Sequence, residues 1–233
     1  MSTSRRAFAA LAAGVALAAL DPAGAAAGSR RGRRLLARDG FRHGLGQWAV
    51  ELEAGGTVTA TGGVLEVDTP AGATIWFKRK LPASYEITYT ATPVSAGGAN
   101  DRVSDLNNFW NASDVRSPHD LFATPRTGAF ADCDFLKMYY AGFGANYNTT
   151  TRLRRYVGEP GVRPLLFDYT APLLTPNAPH HVRLVSDGPR QEWWLGGVRI
   201  FAYEDPAPYL GGHFAFRTTW SHFAFRDFEV RGL

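Results

Sequence analysis

Short segments in which apolar and polar residues alternate recur along the chain after residue 40. In residues 85–92, for example, Tyr and Ile occupy alternate positions between Glu and Thr, which is the period of a strand with one buried face. Similar segments cover residues 47–52, 57–61, 64–68, 74–81, 103–110, 135–143, 149–156, 181–186, 191–195, 198–203, 213–218 and 223–230. Glycine pairs separate several of them, and none keeps a helical period. We therefore predict an all-β antiparallel sandwich, formed as one domain by residues 36–233.

The N-terminus has the pattern of an export signal. Arg5 and Arg6 stand directly before an apolar run over residues 7–20, and small residues follow. This pattern predicts a twin-arginine signal peptide over residues 1–27, followed by a basic flexible tail over residues 28–35. An N-terminal membrane anchor is the alternative, but the run is shorter than the ~20 residues that span a bilayer. We expect a secreted or extracytoplasmic protein whose mature form has no stable membrane span.

The positive charge of the chain is concentrated near its N-terminus. The formal net charge is +4, but six arginines and one aspartate lie in residues 1–34, which leaves −1 for the remainder. Binding of DNA or RNA needs a basic folded surface, so we expect no nucleic-acid partner. Cys133 is the only cysteine, which excludes an intrachain disulfide and a cysteine cluster for zinc.

Four sequence phrases carry a family resemblance. They are VSDLNNFW at residues 103–110, YYAGFG at 139–144, NTTTR at 148–152 and FRTTWSH at 216–222. Through them, nearly all of the chain after the predicted tail resembles a bacterial family of exported concanavalin-like sandwich proteins associated with polysaccharide degradation. The resemblance implies a concanavalin- or galectin-like jelly roll, in which one concave sheet carries the sugar site. The implied partner is a carbohydrate ligand or substrate.

The most informative candidate site is a predicted hairpin. Alternation places Lys137 and Tyr139 on one face of its first strand. A turn centred between residues 146 and 147 would set Tyr139 opposite Arg154 and bring Arg152 to the same face. Cations lower the pKa of a nearby phenol, so Tyr139 is our candidate base for removing the proton next to a uronate carboxylate. The arginines would hold that carboxylate and Lys137 would assist; a solvated face of charged and aromatic side chains is the alternative.

A second candidate lies in residues 217–222, which combine a cation, hydroxyl groups, an aromatic ring and an imidazole. His222 could replace Tyr139 as the base, because imidazole titrates near neutral pH. Arg217 could hold the substrate carboxylate. A buried turn, with Arg217 paired to a carboxylate of the protein, is the structural alternative.

Further candidates for substrate contact lie in the middle of the chain. Asp105 and Asn107 could bind sugar hydroxyls, and Trp110 could stack on a pyranose ring, although an Asx-turn would also explain the first of them. His119, which precedes Asp120 in a predicted long loop, is a weaker candidate. An isolated His-Asp dipeptide occurs in many surface loops.

Together these residues favour a polysaccharide lyase acting on an acidic, uronate-containing or plant-derived glycan. A non-catalytic carbohydrate-binding sandwich would use the same groove without a tuned base. A glycoside hydrolase is the third possibility, but it needs two paired carboxylates that the sequence does not supply. No cofactor is required by the sequence. Asp132 and Asp134 leave a structural calcium open, and we predict no metal site.

Overall fold

Thirteen β-strands occur in residues 32–233, the part of the chain that the computed structural model describes. Their bounds are β1 Leu35–Asp39, β2 Trp48–Leu52, β3 Thr57–Thr61, β4 Val64–Phe77, β5 Ser84–Pro93, β6 Leu106–Asp114, β7 Leu136–Gly144, β8 Thr150–Val157, β9 Leu165–Tyr169, β10 His180–Asp187, β11 Arg190–Leu195, β12 Val198–Glu204 and β13 His213–Gly232. A 3-10 helix, Phe130–Phe135, precedes β7, and a short helical turn, Ala145–Asn148, joins β7 to β8. Neither has the length and apolar character that a membrane crossing requires. The predicted signal peptide lies outside the described residues, and β1 begins at the last residue of the predicted tail.

The strands form two antiparallel layers that share β4 and β13. Sheet A has the order β12–β11–β10–β5, followed by the C-terminal part of β13. On its other side, this part of β13 pairs with β1 and with the N-terminal part of β4. β3 pairs with β4 and completes the layer. Sheet B has the order β9–β8–β7–β6, followed by the N-terminal part of β13, the C-terminal part of β4, and β2. The predicted all-β antiparallel sandwich is thereby confirmed.

Apolar and aromatic side chains fill the space between the two layers. In β5, the alternating residues Tyr85, Ile87 and Tyr89 are at most 3% exposed. The polar tips of core residues are paired across the layers: Trp193 of β11 donates from Nε1 to Asn108 Oδ1 of β6 at 2.9 Å. A buried polar group without a partner costs about 1–3 kcal/mol, so such bonds allow large aromatic side chains to span the core.

The outer face of sheet B, which points away from sheet A, is partly covered by residues 115–129 and the 3-10 helix that follows. A second apolar cluster lies beneath this cover, where Phe109 of β6 packs in one group with Leu121 of the loop. Arg126 anchors the loop, because its Nη2 lies 2.7 Å from Glu51 Oε1 of β2. The cover leaves the arginine side chains of β8 partly exposed.

The longest strands differ from the sequence-based prediction. Residues 64–68 and the first half of 74–81 belong to one strand, β4, and residues 213–218 and 223–230 are joined in β13. Near Trp220 one residue of β13 lies opposite two residues of β4, so a bulge in β4 makes the pairing irregular without ending it. Apolar and polar residues do not alternate clearly across this point, so the sequence pattern looked like two strands. The sequence analysis did not predict β1 and β9, which are short and whose residues do not alternate clearly.

Candidate functional site

A row of paired residues crosses the outer face of sheet B and is largely polar. Thr74 of β4 lies beside Arg217 of β13, which lies beside Asn107 of β6. Asn107 in turn lies beside Gly142 of β7, which is paired with Arg152 of β8. Directly paired residues point to the same face of a sheet, and we call these five residues the polar row. It brings together three residues that the sequence analysis singled out, Asn107, Arg152 and Arg217.

The register of the β7–β8 hairpin differs from the predicted one. Tyr139 lies opposite Arg155, and Tyr140 lies opposite Arg154, so the predicted pairing of Tyr139 with Arg154 is wrong by one residue. The cause is the turn, because residues 146–148 all adopt left-handed backbone, with φ of 52°, 60° and 57°. A slip of one residue moves every side chain to the other face. The arginines at 152 and 154 therefore share the outer face with Tyr140.

Tyr139, the predicted base, lies on the inner face of sheet B and is fully buried. Its hydroxyl donates to Asp205 Oδ2 at 2.5 Å, and Arg155 Nε donates to the same oxygen at 2.8 Å. Burial raises the pKa of Tyr139, and the hydrogen bond to the Asp205 carboxylate raises it further. The prediction of a lowered pKa is therefore wrong. Tyr139 belongs to a closed polar network inside the sandwich.

Two other tyrosines, Tyr140 and Tyr156, lie on the outer face, and the sequence analysis missed both. The hydroxyl of Tyr140 donates to Asn107 Oδ1 at 3.1 Å, whereas the hydroxyl of Tyr156 is buried without a hydrogen-bond partner among the described residues. Burial raises the pKa of both phenols, although the positive charges of Arg154 and Arg217 act to lower it. Both hydroxyls are therefore protonated at neutral pH. The only signal for them was the hairpin register, which depends on the turn.

Arg154 and Arg217 lie on this face without a carboxylate partner within residues 32–233. Arg217 is 1% exposed, and its Nη1 donates to Thr74 Oγ1 at 2.7 Å and to the carbonyl oxygen of Gly128 at 2.9 Å. Its Nε and Nη2 are buried and make no hydrogen bond in the described structure. Arg154 donates from Nη1 to the carbonyl oxygen of Arg163 at 3.0 Å. Buried donors without acceptors are rare in folded proteins, so the two unbonded nitrogens of Arg217 distinguish this place from the rest of the outer face.

Arg152 and Asp105 are both ion-paired. Arg152 Nε lies 2.7 Å from Asp168 Oδ1, and both side chains are about one-third exposed. An exposed pair of this kind contributes little stability, about 0–1 kcal/mol, so Arg152 remains available to an incoming anion. Asp105 Oδ2 lies 2.7 Å from Arg102 Nη2, and Asp105 directly precedes β6, outside the polar row.

Three further predicted residues, Trp110, Lys137 and His119, also lie outside the polar row. Trp110 is fully buried between the layers, where its Nε1 donates to Gln191 Oε1 at 2.8 Å, so the prediction that it stacks on a sugar is wrong. Lys137 is exposed at the start of β7, and the alternation of that strand puts it on the same side as Tyr139 rather than Tyr140. His119 is exposed in the loop of residues 115–129.

His222 is held between two carboxylates. Its Nδ1 lies 2.8 Å from Asp101 Oδ1, and its Nε2 lies 2.9 Å from Glu66 Oε1. Burial lowers the pKa of His222, but the two hydrogen bonds to carboxylates outweigh this effect and raise the pKa above its ordinary value. Both ring nitrogens of His222 are therefore already engaged by carboxylates of the protein, and the irregularity in the β13–β4 pairing separates His222 from Arg217. The geometry therefore favours a structural role for His222 over the predicted role as base. We call His222 with its two carboxylate partners, Asp101 and Glu66, the clasp.

The carboxylates considered for calcium already bind groups of the protein. Asp132 Oδ2 accepts hydrogen bonds from the backbone nitrogen and the hydroxyl of Thr127 at 2.6 and 2.7 Å. Asp134 Oδ1 lies 3.5 Å from Arg163 Nη1. Cys133 between them is buried, which raises its pKa to about 11. Within the described part of the chain, no group of three or more His, Cys, Asp and Glu side chains is arranged to hold a metal ion.

A family model described as a domain of unknown function, DUF6250, matches residues 67–228. The match covers more than half of the chain and runs from β4 to β13, so the chain belongs to the DUF6250 family. No curated protein matches the sequence.

Several solved structures have a similar fold. A Bacillus subtilis protein of unknown function with a galectin-like fold is 19% identical, with a TM-score of 0.71, and the alignment covers 85% of this chain and 96% of that chain. The carbohydrate-binding module CBM66 from Bacillus subtilis is 13% identical over 80% of this chain and 96% of its own, with a TM-score of 0.55. The lumenal domain of VIP36 in its Ca²⁺/Man-bound form is 11% identical over 80% and 83% of the two chains, with a TM-score of 0.57. At these low sequence identities, the structural similarities show a galectin-like sandwich fold and do not show a shared function.

Proposed function

We propose that this protein binds an acidic, uronate-containing glycan on the outer face of sheet B. One observation carries the proposal: Arg154 and Arg217 lie on that face beside two buried phenols, and neither arginine has a carboxylate partner in the described chain. Guanidinium groups bind carboxylates through charge-assisted hydrogen bonds, often two at a time. A ligand carboxylate would supply the acceptors that the protein does not.

The polar row and the neighbouring pair of Tyr140 and Arg154 offer contacts at different depths of the outer face. Arg152 and Arg154 are partly exposed and would meet the ligand first. Asn107 and Tyr140 lie at the floor, where their amide and hydroxyl groups suit sugar hydroxyls. Gly142 makes room for that floor, because a Cβ there would lie 2.2 Å from Tyr140 Oη. Arg217 lies deeper, with its Cζ 5.3 Å from the centre of the Phe130 ring, so it would bind ligand after that ring turns aside.

The fold and the N-terminus support a carbohydrate role outside the cytoplasm. Among the proteins with this fold are one named as a carbohydrate-binding module and one described in a Man-bound form. A shared fold is an analogy only, because function depends on the site. The export-type sequence at residues 1–27 supports secretion by the twin-arginine route, which would bring the protein to extracellular polysaccharide.

Lyase chemistry is the second candidate, and the position of Tyr140 opposite Arg154 favours it. A lyase needs a base for the proton next to the uronate carboxylate and an acid for the departing oxygen. Because burial keeps Tyr140 protonated, this phenol suits the acid and not the base. Binding without cleavage therefore fits the outer face better. Hydrolysis fits less well, since Glu51 and Asp168 at the ends of the row are already paired with arginines.

The test is a titration of residues 28–233 with polygalacturonate and with the same polymer after reduction of its carboxyl groups. We expect heat of binding with the acidic polymer, weakened by added salt because exposed charges are screened, and little binding of the reduced polymer. The ultraviolet absorbance of an unsaturated product, followed in the same samples, separates a lyase from a binding protein. Equal binding of the two polymers, or binding of neither, would contradict the proposal.

A further inference from the structure

An exposed pair of aromatic rings lies beyond the polar row. Trp220 of β13 is 41% exposed, and Tyr147 of the β7–β8 turn is 66% exposed. The ring centroids are 6.5 Å apart, and the ring planes are almost perpendicular, at 88°. Trp220 is the one tryptophan that ranks as exposed within residues 32–233. Neighbouring exposed apolar groups of this size are typical of binding surfaces rather than of inert surface.

Both rings project from left-handed backbone. The φ angle is 42° at Trp220 and 60° at Tyr147. Bulky residues rarely adopt this conformation, which costs about 1–3 kcal/mol and persists only where the surrounding structure holds it. In β13 the strained residue lies between Thr219 and Ser221, opposite a two-residue bulge of β4, where the regular pairing is interrupted. The fold therefore retains two strained positions that present rings at one place.

Arg102 fixes the two rings relative to each other. Its Cζ lies 4.5 Å from the centre of the Tyr147 ring and 5.0 Å from that of Trp220. The guanidinium donates from Nε to the carbonyl oxygen of Trp220 at 2.8 Å, and from Nη2 to the carbonyl oxygen of Thr219 and to Asp105 Oδ2. Because Asp105 balances the charge of Arg102, this platform is rigid and locally neutral. It would select a ligand by the shape of a ring face and not by charge.

We propose that Trp220 and Tyr147 form a stacking subsite for one pyranose ring of a bound glycan. The proposal rests on the proposed function, because the same glycan would also reach the polar row. Trp220 is three residues from Arg217 along β13, about 10 Å at the ~3.3 Å rise of a strand. The C–H face of a pyranose packs on an aromatic ring while the hydroxyls stay in water. A glycan that contacts both the stacking subsite and the polar row gains binding free energy from each, so oligosaccharides should bind more tightly than single sugars.

The test compares glycan binding by the mature protein, residues 28–233, and its variants, using calorimetry. The probes are galacturonate monomer, an oligogalacturonate of several units, and the carboxyl-reduced oligosaccharide of the same length. Trp220→Ala should weaken binding of the long acidic probe about tenfold, the size of one good aromatic contact, without changing its salt dependence or the binding of the monomer. Trp220→Phe keeps a ring and should restore most of the affinity. Val198→Ala, which truncates an exposed apolar side chain on the edge strand β12, is the control and should change nothing.

The outcomes separate this proposal from the one on which it rests. Unchanged affinity of folded Trp220→Ala for the long probe overturns the stacking subsite and leaves the acidic site intact. Weakened binding in Trp220→Ala together with wild-type binding in Arg154→Ala supports the stacking subsite and overturns the acidic site. Absence of binding to all three probes by the wild type overturns both. A thermal melt of each variant identifies any that fails to fold. If Trp220→Ala fails to fold, Tyr147→Ala decides, since loss of the Tyr147 ring should weaken binding of the long probe and unchanged binding overturns the subsite.

Discussion

Each face of the β7–β8 hairpin carries a tyrosine opposite an arginine. The two faces differ in whether these side chains bind a carboxylate of the protein. On the inner face, Tyr139 and Arg155 both donate to the buried carboxylate of Asp205. On the outer face, Tyr140 and Arg154 lie opposite each other with no carboxylate between them in the described structure. Residue type therefore does not distinguish a structural network from a binding face. The distinction lies in whether each charge already has a partner within the protein.

Removing the carboxylate of the inner face should have the largest effect on stability. Asp205→Ala leaves the Tyr139 hydroxyl, the Arg155 guanidinium and the backbone nitrogen of Ala207 without their acceptor. We expect a loss of about 3 kcal/mol in the free energy of unfolding, because a largely buried charge loses its partner. Urea unfolding measures it. Stability close to that of the wild type would show that the inner network does not hold the fold.

Tyr139→Phe should have a smaller effect of the same kind. The variant keeps the ring in the core but removes the hydroxyl that donates to Asp205 and accepts from the backbone nitrogen of Tyr209. We expect a loss of about 1–2 kcal/mol with unchanged glycan binding, measured by unfolding and by calorimetry. If a cleaved substrate is found and Tyr139→Phe loses turnover at unchanged stability, Tyr139 is catalytic and the assignment of the two faces is wrong.

The clasp around His222 should give the smallest change in stability, and one that depends on pH. Because the folded pKa of His222 lies above its ordinary value of 6.5, the clasp stabilises fully below about pH 6.5 and loses its effect as pH rises through the folded pKa. Backbone hydrogen bonds from Ala96 and Gly98 lower the pKa of Asp101 to about 2, so that carboxylate stays charged throughout. His222→Gln should therefore destabilise the protein more in mild acid than in base. Unfolding curves across this range test it, and a difference independent of pH would contradict the clasp.

The sequence predicted the fold better than the site, for a physical reason. Strand alternation is local, so the buried residues of β5 and the antiparallel sandwich followed from the pattern alone. The face on which a hairpin residue lies depends on register, and here three left-handed residues at 146–148 shifted it. Trp110 shows the same limit, because its residue type suits sugar stacking but the facing layer buries it. Asn107 and Arg217 were chosen by residue type, and the pairing of β6 with β13 brings them together.

Arg154 and Arg155 offer the most direct test of the central claim, because they are neighbours in β8 on opposite faces of sheet B. The measurement is the affinity of Arg154→Ala and Arg155→Ala for polygalacturonate, with the unfolding free energy of each variant. Arg154→Ala should bind about tenfold or more weakly at nearly wild-type stability, since a charge-assisted hydrogen bond contributes about 1.5–3 kcal/mol. Arg155→Ala should lose stability and keep its affinity. Wild-type binding by Arg154→Ala, together with loss of binding by folded Arg155→Ala, would place the ligand elsewhere and contradict the account.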